Sequence, residues 1–326
     1  MTIEASAQQA SGDAGADDRE SGGDVPAPVI PPVVVGRPGP SIEPRAVDHV
    51  YRASPYRPDT AIDGWTDEHW AVRAVSLRGH AHRHGGVPRQ DDMALARRSS
   101  GDGGLLVAVA DGVSAAPQAH IGATTAVRYA VQWLDASTSA EDGALDATGL
   151  VRATAWALVE HAAAVLDIAT DAAEAEPQVA TTLVAATIDP PAGGEAGGVV
   201  RLAAVGDSGA WVLSGGRFDR VVGGKARSDD AISSSAVTAL PRVPNEIATA
   251  TVELGPDDVL IIATDGIGDP LGAGSGSVGA LLRSLLEGRV PTLVELAHAV
   301  DFSRETFDDD RTLVAVRPRG VVADRR

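Results

Sequence analysis

Two stretches of this chain are apolar or nearly so along their length and stop on the same pair of residues. Leu105-Leu106-Val107-Ala108-Val109-Ala110 runs into Asp111-Gly112, and Val259-Leu260-Ile261-Ile262-Ala263-Thr264 runs into Asp265-Gly266. A strand with no polar face is covered on both sides. Each run therefore predicts a buried strand that delivers one carboxylate to the rim of the core and then turns on a glycine. A carboxylate held there without a partner is costly. Two more acidic signals, Gln90-Asp91-Asp92 and Asp308-Asp309-Asp310-Arg311-Thr312, also open onto apolar segments. The four clusters are expected to meet in space.

Several carboxylates brought together repel and raise one another's pKa unless a cation joins them. The chain has no cysteine, which excludes thiolate catalysis, disulfides and cysteine-based zinc sites. Oxygen donors without a histidine pair on a helix favour Mg²⁺ or Mn²⁺ over Zn²⁺. A glycine after the Asp leaves the Gly112 carbonyl free to approach an ion. Two such ions about 3.5–4 Å apart, bridged by one carboxylate, generate a hydroxide and clamp a phosphoryl group, so the predicted reaction is phosphoester hydrolysis.

A formal charge of −18 over 326 residues repels polyanions, so nucleic acid and anionic membrane are not expected as partners. No apolar run is expected to span a bilayer, and Met1-Thr2-Ile3-Glu4 lacks the basic-then-apolar form of a secretory signal; the expected location is the cytoplasm.

Residues 1–64 are rich in Pro, Ala, Gly and Asp and are expected to form a disordered tail; for Val29 to Val35 a polyproline docking segment or an added edge strand is the alternative to the flexible tail, which is the favoured reading. The folded domain is expected over 65–320, with 321–326 as a short C-terminal tail. Strands are predicted at 70–77, 93–96, 105–110, 181–188, 199–205, 210–218 as a Gly-Gly hairpin, 248–254, 259–264 and 312–316. Helices are predicted at 121–134, 150–172, 278–286 and 292–299, and a long surface loop at 223–241. Strands and helices that come in groups, rather than in strict alternation, indicate an α+β domain with largely antiparallel sheets. A sandwich of two sheets flanked by helices covers both faces.

In chain order, the motifs resemble those of the metal-dependent serine/threonine protein phosphatases, the PPM or type 2C family, from about Leu77 to Pro318. Gly79-His80-Ala81-His82 followed by Gly86-Val87-Pro88-Arg89-Gln90-Asp91 is similar to a bacterial branch with a His and then Gly-x-Pro-x-Gln-Asp. Val107 to Val113 resembles Val-Ala-Asp-Gly-x, Ala180-Thr181-Thr182-Leu183 resembles Gly-Thr-Thr-Leu, and Ala204 to Ala210 resembles Val-Gly-Asp-Ser-Arg-Ala. Thr264-Asp265-Gly266-Ile267 is similar to Ser-Asp-Gly-Leu, and Asp309-Asp310-Arg311-Thr312 to Asp-Asn-x-Thr.

The resemblance implies a four-layer α-β-β-α sandwich holding two Mn²⁺ or Mg²⁺ ions. Asp91, Asp111, the Gly112 carbonyl, Asp265 and Asp309 would be the metal ligands, with Asp111 bridging. It implies single-step attack by a metal-activated water on phosphoserine or phosphothreonine in proteins phosphorylated by a Ser/Thr kinase. Many members place an Arg shortly before the first metal-binding Asp to hold the substrate phosphate. Here Gly85 to Pro88 offers none, and His82 or Arg83 is the substitute, His82 fitting the bacterial branch. Gly209 stands where the family has an Arg, and Ser114-Ala115-Ala116-Pro117 replaces the signature associated with a third metal. Two other readings are a catalytically weak relative that regulates or scaffolds, and an unrelated metal-binding α+β module.

Overall fold

The structure is a computed structural model and describes residues 30–51, 57–137, 144–193, 195–224 and 238–319. Two antiparallel sheets lie face to face. One has the order β1 (Thr60–Asp63), β2 (Trp70–Leu77), β11 (Arg311–Pro318), β10 (Val259–Ala263), β7 (Gly209–Ser214) and β8 (Arg217–Gly223). The other runs β3 (Asp92–Arg97), β4 (Leu105–Ala110), β5 (Leu183–Asp189), β6 (Gly198–Val205) and β9 (Ala248–Leu254).

The apolar runs of the sequence become intelligible in this frame. On β4, Leu105, Val107 and Val109 point between the sheets, where they meet Val72, Ile188, Leu260 and Val314. The intervening Leu106, Ala108 and Ala110 point outward onto α2 (Ala119–Ala136) and α3 (Ala147–Leu166). On β10, Leu260 and Ile262 face inward, while Val259, Ile261 and Ala263 pack beneath α5 (Asp265–Leu271), α6 (Ser277–Leu286) and α7 (Leu293–Val300). Successive strand residues thus serve two different cores, which leaves no position for a polar side chain. Helices, sheet, sheet and helices form the expected four layers.

Three expectations need correction. The helix expected over 150–172 ends at Leu166, because Asp167 adopts a left-handed conformation (φ 55°) that turns the chain into α4 (Ala172–Val179). Helix α3 is long and apolar enough to cross a membrane by length and composition, contrary to the reading that no segment was. Its Leu150, Val151, Ala155 and Leu158 are buried among α2 and the sheet, so its apolar character serves packing.

The third correction concerns the start of the fold. Structure precedes Trp65: β1 pairs with β2, and Val35 is buried in the core beneath α7. Val34 makes a parallel bridge with Ser303, secured by the Val35 N–H to the Ser303 carbonyl at 3.1 Å and the Ser303 N–H to the Val33 carbonyl at 2.7 Å. Val33 to Val35 is thus held against the fold, not left as the flexible tail favoured from the sequence, although the contact is one isolated bridge and not a strand of the sheet. Residues 1–29, 225–237 and 320–326, which hold the rest of the expected tails and most of the expected loop, lie outside the described residues.

Candidate metal centre

At the end of β4 the backbone of Asp111 is held on both sides. Its N–H donates to the Thr182 Oγ1 at 3.0 Å, and its carbonyl accepts from the Thr182 N–H at 2.8 Å and the Thr181 Oγ1 at 2.9 Å. Thr182 is in turn paired with the buried Ser208 hydroxyl at 2.7 Å. The Thr-Thr and Asp-Ser segments are therefore framework, positioning a half-buried carboxylate. A Cβ on Gly112 would lie 2.7 Å from the Ala119 Cβ, so this glycine is required by the start of α2, an additional reason to the one read from the sequence.

Asp265 opens α5 directly after β10. Its carboxylate meets that of Asp111, which is pushed well above the ordinary carboxylate range by burial, then by Asp91, Asp265 and Asp309. Asp91 is almost fully buried, and its Oδ2 accepts the Thr264 hydroxyl at 2.7 Å. Burial, then the Asp310 charge, raises its carboxyl well above the ordinary value against the pull of that hydroxyl. Asp309 is exposed and is likewise raised by burial of its carboxyl and by Asp310. Asp91, Asp265 and Asp309 act on the Asp111 carboxyl, Asp309 on that of Asp91 and Asp265 on that of Asp309, so carboxylates from four segments lie near one another.

Asp310 is the residue that sequence reasoning missed. Only 2% exposed, it accepts the Gly79 N–H at 2.6 Å, the Gln90 N–H at 2.5 Å and the Asp91 N–H at 3.4 Å, and stands 2.9 Å from the His82 Nδ1. Burial alone would raise its carboxyl, but His82 and the backbone donors outweigh that and hold it below the ordinary value. One side chain thereby ties the start of α1 (His80–Gly85) and the loop before β3 to the C-terminal strand. The approach is close enough to dictate glycines. A Cβ at Gly79 would lie 2.2 Å from the Asp309 carbonyl carbon, and one at Gly266 would lie 1.9 Å from the Asp310 carbonyl oxygen.

His82 sits on the short helix α1, between His80 and His84. Its contact with Asp310 is an ion pair too bent for a straight hydrogen bond. Burial alone would lower the imidazole; Asp310, with Asp309 and Asp91 behind it, reverses this and raises it. Arg83 points elsewhere, paired with Asp301 at 2.9 Å and Asp59 at 3.5 Å, so the structure separates the two candidate substitutes for the missing arginine.

The donor set suits a hard cation. Among the described residues, the His82, Asp309 and Asp310 ligating atoms lie within 4.8 Å of one another, but Asp310 is already engaged by three backbone N–H groups and His82. That leaves the oxygens of Asp91, Asp111, Asp265 and Asp309 as the group whose mutual repulsion a divalent ion would relieve.

A protein-family profile described as Protein phosphatase 2C matches residues 78–292. No curated protein matches the chain. Among solved structures, the catalytic domain of the serine/threonine protein phosphatase PstP, in complex with two manganese ions, is 20% identical, with 77% of this chain and 99% of that one covered and a TM-score of 0.52. The S. agalactiae serine/threonine phosphatase is 15% identical, with 76% of this chain and 99% of that one covered and a TM-score of 0.52. A bacterial serine phosphatase is 12% identical, covering 78% and 99%, also at 0.52. At these identities the likeness is one of fold. Because the profile spans more than half of the chain and reaches from the His82 segment through Asp265, the chain belongs to the protein phosphatase 2C family.

Proposed function

We propose that this chain is a metal-dependent phosphatase that hydrolyses phosphoserine and phosphothreonine in proteins phosphorylated by a Ser/Thr kinase. The observation that carries the reading is the convergence of Asp91, Asp111, Asp265 and Asp309 from four separate segments. Those carboxylates and the Gly112 carbonyl would hold two Mn²⁺ or Mg²⁺ ions. When bound, such a pair supplies Lewis acidity, lowering the pKa of a water and neutralising charge on phosphoryl oxygens.

The chain's own contribution is order and a proton. Asp310 fixes the backbone at Gly79, Gln90 and Asp91, so that the His82 ring and the Asp91 carboxylate share one rigid support. With Nδ1 turned to Asp310, His82 has Nε2 left to donate to a phosphate oxygen or to the departing seryl or threonyl oxygen. Thr264, through Asp91, and Thr181 with Thr182, through Asp111, hold the carboxylates in place before any ion arrives.

A second reading, a family member with weak turnover that regulates or scaffolds, is favoured by one feature. Arg83, the nearest arginine before Asp91 apart from the buried Arg89, is drawn away by Asp301 and Asp59, which leaves phosphate capture to His82. The test is turnover of a phosphothreonine peptide and a small aryl phosphate by the purified chain, with Mn²⁺ and with chelator. The phosphatase reading expects turnover that needs Mn²⁺ and is abolished by Asp111→Asn in a chain that still folds. Phosphopeptide binding without turnover at any Mn²⁺ concentration would favour the second reading.

A further inference from the structure

Asp92 turns away from Asp91, as successive residues entering a strand do, and faces a different environment. Behind it lies a cavity of about 510 Å³ on whose walls stand three guanidinium groups, Arg57, Arg89 and Arg128. In a chain of net charge −18 this is a local inversion of sign. Its apolar floor comes from Ile62, Met93 and Leu95.

The three arginines differ in what they have left to offer. Arg57 is fully committed: it donates to the carbonyls of Arg89 and Asp91 and to the Thr124 Oγ1, and pairs with Asp92 at 3.4 Å. Arg89 is 3% exposed and reaches Asp92 through Nη2 at 3.5 Å, but its Nε and Nη1 are buried with no partner among the described residues. Arg128, one helical turn beyond Thr124 on α2, is exposed and makes no ion pair or hydrogen bond among the described residues. Nε and Nη1 are closed off from the cavity, so the Arg89 atom within reach of an oxyanion there is Nη2, and together with the Arg128 guanidinium it would offer charge-assisted hydrogen bonds.

Asp92 does not fill that role. Its two oxygens are shared among Arg57, Arg89 and Thr124, and three guanidiniums against Asp92 and the exposed Asp63 leave the cavity net positive. The volume falls within the range of small-molecule sites, about 300–1,000 Å³. One wall, Arg57 to Asp63, precedes residue 78, where the family match begins, so this chain builds the cavity partly from a segment outside that match.

We propose that this cavity is a second ligand site, distinct from the carboxylate centre, for a small organic oxyanion. A phosphate or carboxylate head is held by Arg89 and Arg128, and an apolar body lies on Ile62, Met93 and Leu95.

The test does not depend on the phosphatase reading, because it is made in chelator, where the carboxylate cluster carries no ion and repels anions. The full chain is titrated calorimetrically with phenylphosphonate, which cannot be hydrolysed, and with inorganic phosphate and succinate. Saturable one-to-one binding is expected, tighter for phenylphosphonate than for inorganic phosphate. A response to phosphonate alone identifies a phosphate head, and a response to succinate alone a carboxylate head. Arg128→Gln, on a solvent-facing helical position where folding is not at risk, is expected to weaken binding by about tenfold, the loss of one charge-assisted hydrogen bond. Arg89→Gln is expected to weaken it further, and Asp111→Asn to leave it unchanged. The proposal is overturned if none of the three probes binds saturably, or if binding survives Arg128→Gln and is altered by Asp111→Asn.

Discussion

Thr264 carries two hydrogen bonds that link β10 to Asp91 and to β11. Fully buried, its hydroxyl donates to the Asp91 Oδ2 at 2.7 Å and accepts the Thr312 N–H at 3.1 Å. Thr264→Val keeps the shape and removes both. The Thr312 N–H becomes a buried donor without an acceptor, which costs about 1–3 kcal/mol, and the loss of a hydrogen bond to a charged Asp91 costs about 1.5–3 kcal/mol. Asp91 is raised well above the ordinary range without a metal, so the second cost is only partly felt in the free chain. The expected destabilisation is about 2–4 kcal/mol, a large share of the roughly 5–15 kcal/mol that stabilises a typical domain.

The assay is urea unfolding in chelator, with Thr264→Ser as the control that keeps the hydroxyl and loses only a methyl. Manganese affinity is measured in parallel. Removing the hydroxyl raises the Asp91 carboxyl further, and a ligand that must lose its proton to bind gives a weaker apparent affinity at fixed pH. If Thr264→Val matched Thr264→Ser within about 1 kcal/mol, the unsatisfied-donor reasoning would be refuted. Equal Mn²⁺ binding by the two variants would separate Thr264 from the metal centre.

Two further perturbations probe other parts of the account. Gly266→Ala places a Cβ 1.9 Å from the Asp310 carbonyl oxygen, and the backbone shift this forces is expected to cost about 1–3 kcal/mol and to reduce Mn²⁺ affinity; a fully stable variant with unchanged affinity would contradict the packing. His120 faces the Tyr51 ring and the Arg57 charge, and burial, then Arg57, pushes its pKa down from 6.5 to about 4. The unfolded chain therefore takes up a proton below pH 6.5 that the folded chain refuses until about pH 4, so stability is lost as the pH falls through that window. The loss approaches about 3 kcal/mol, and His120→Phe is expected to remove it from the difference between urea midpoints at pH 7 and pH 4.5; parallel losses in the two proteins would contradict the assignment.

What could be read from the sequence followed from the degree of burial. Runs such as Leu105 to Ala110 serve two cores at once, so they carry no polar residue and announce both the strand and the carboxylate at its end. Asp111 and Asp265 were legible for that reason. Within the acidic run only the resemblance to Asp-Asn-x-Thr singled out Asp309, and the part played by Asp310 was hidden because it depends on Gly79, Gln90 and His82, more than 200 residues away in sequence. Helix α1 was hidden by an alternating His-Ala-His-Arg-His pattern, since long-range bonds such as the Ala81 N–H to the Asp308 carbonyl help to hold it. Arg57 was invisible for a similar reason: it stands in a segment whose composition reads as tail, and its role comes from residues 32 to 67 positions downstream.

The most direct measurement is anomalous diffraction from crystals of the full chain grown with Mn²⁺. The account predicts two manganese peaks about 3.5–4 Å apart, with Asp111 between them and Asp91, Asp265 and Asp309 as further ligands. A well-ordered chain with no manganese at these carboxylates, or with manganese only between His82 and Asp310, would contradict it.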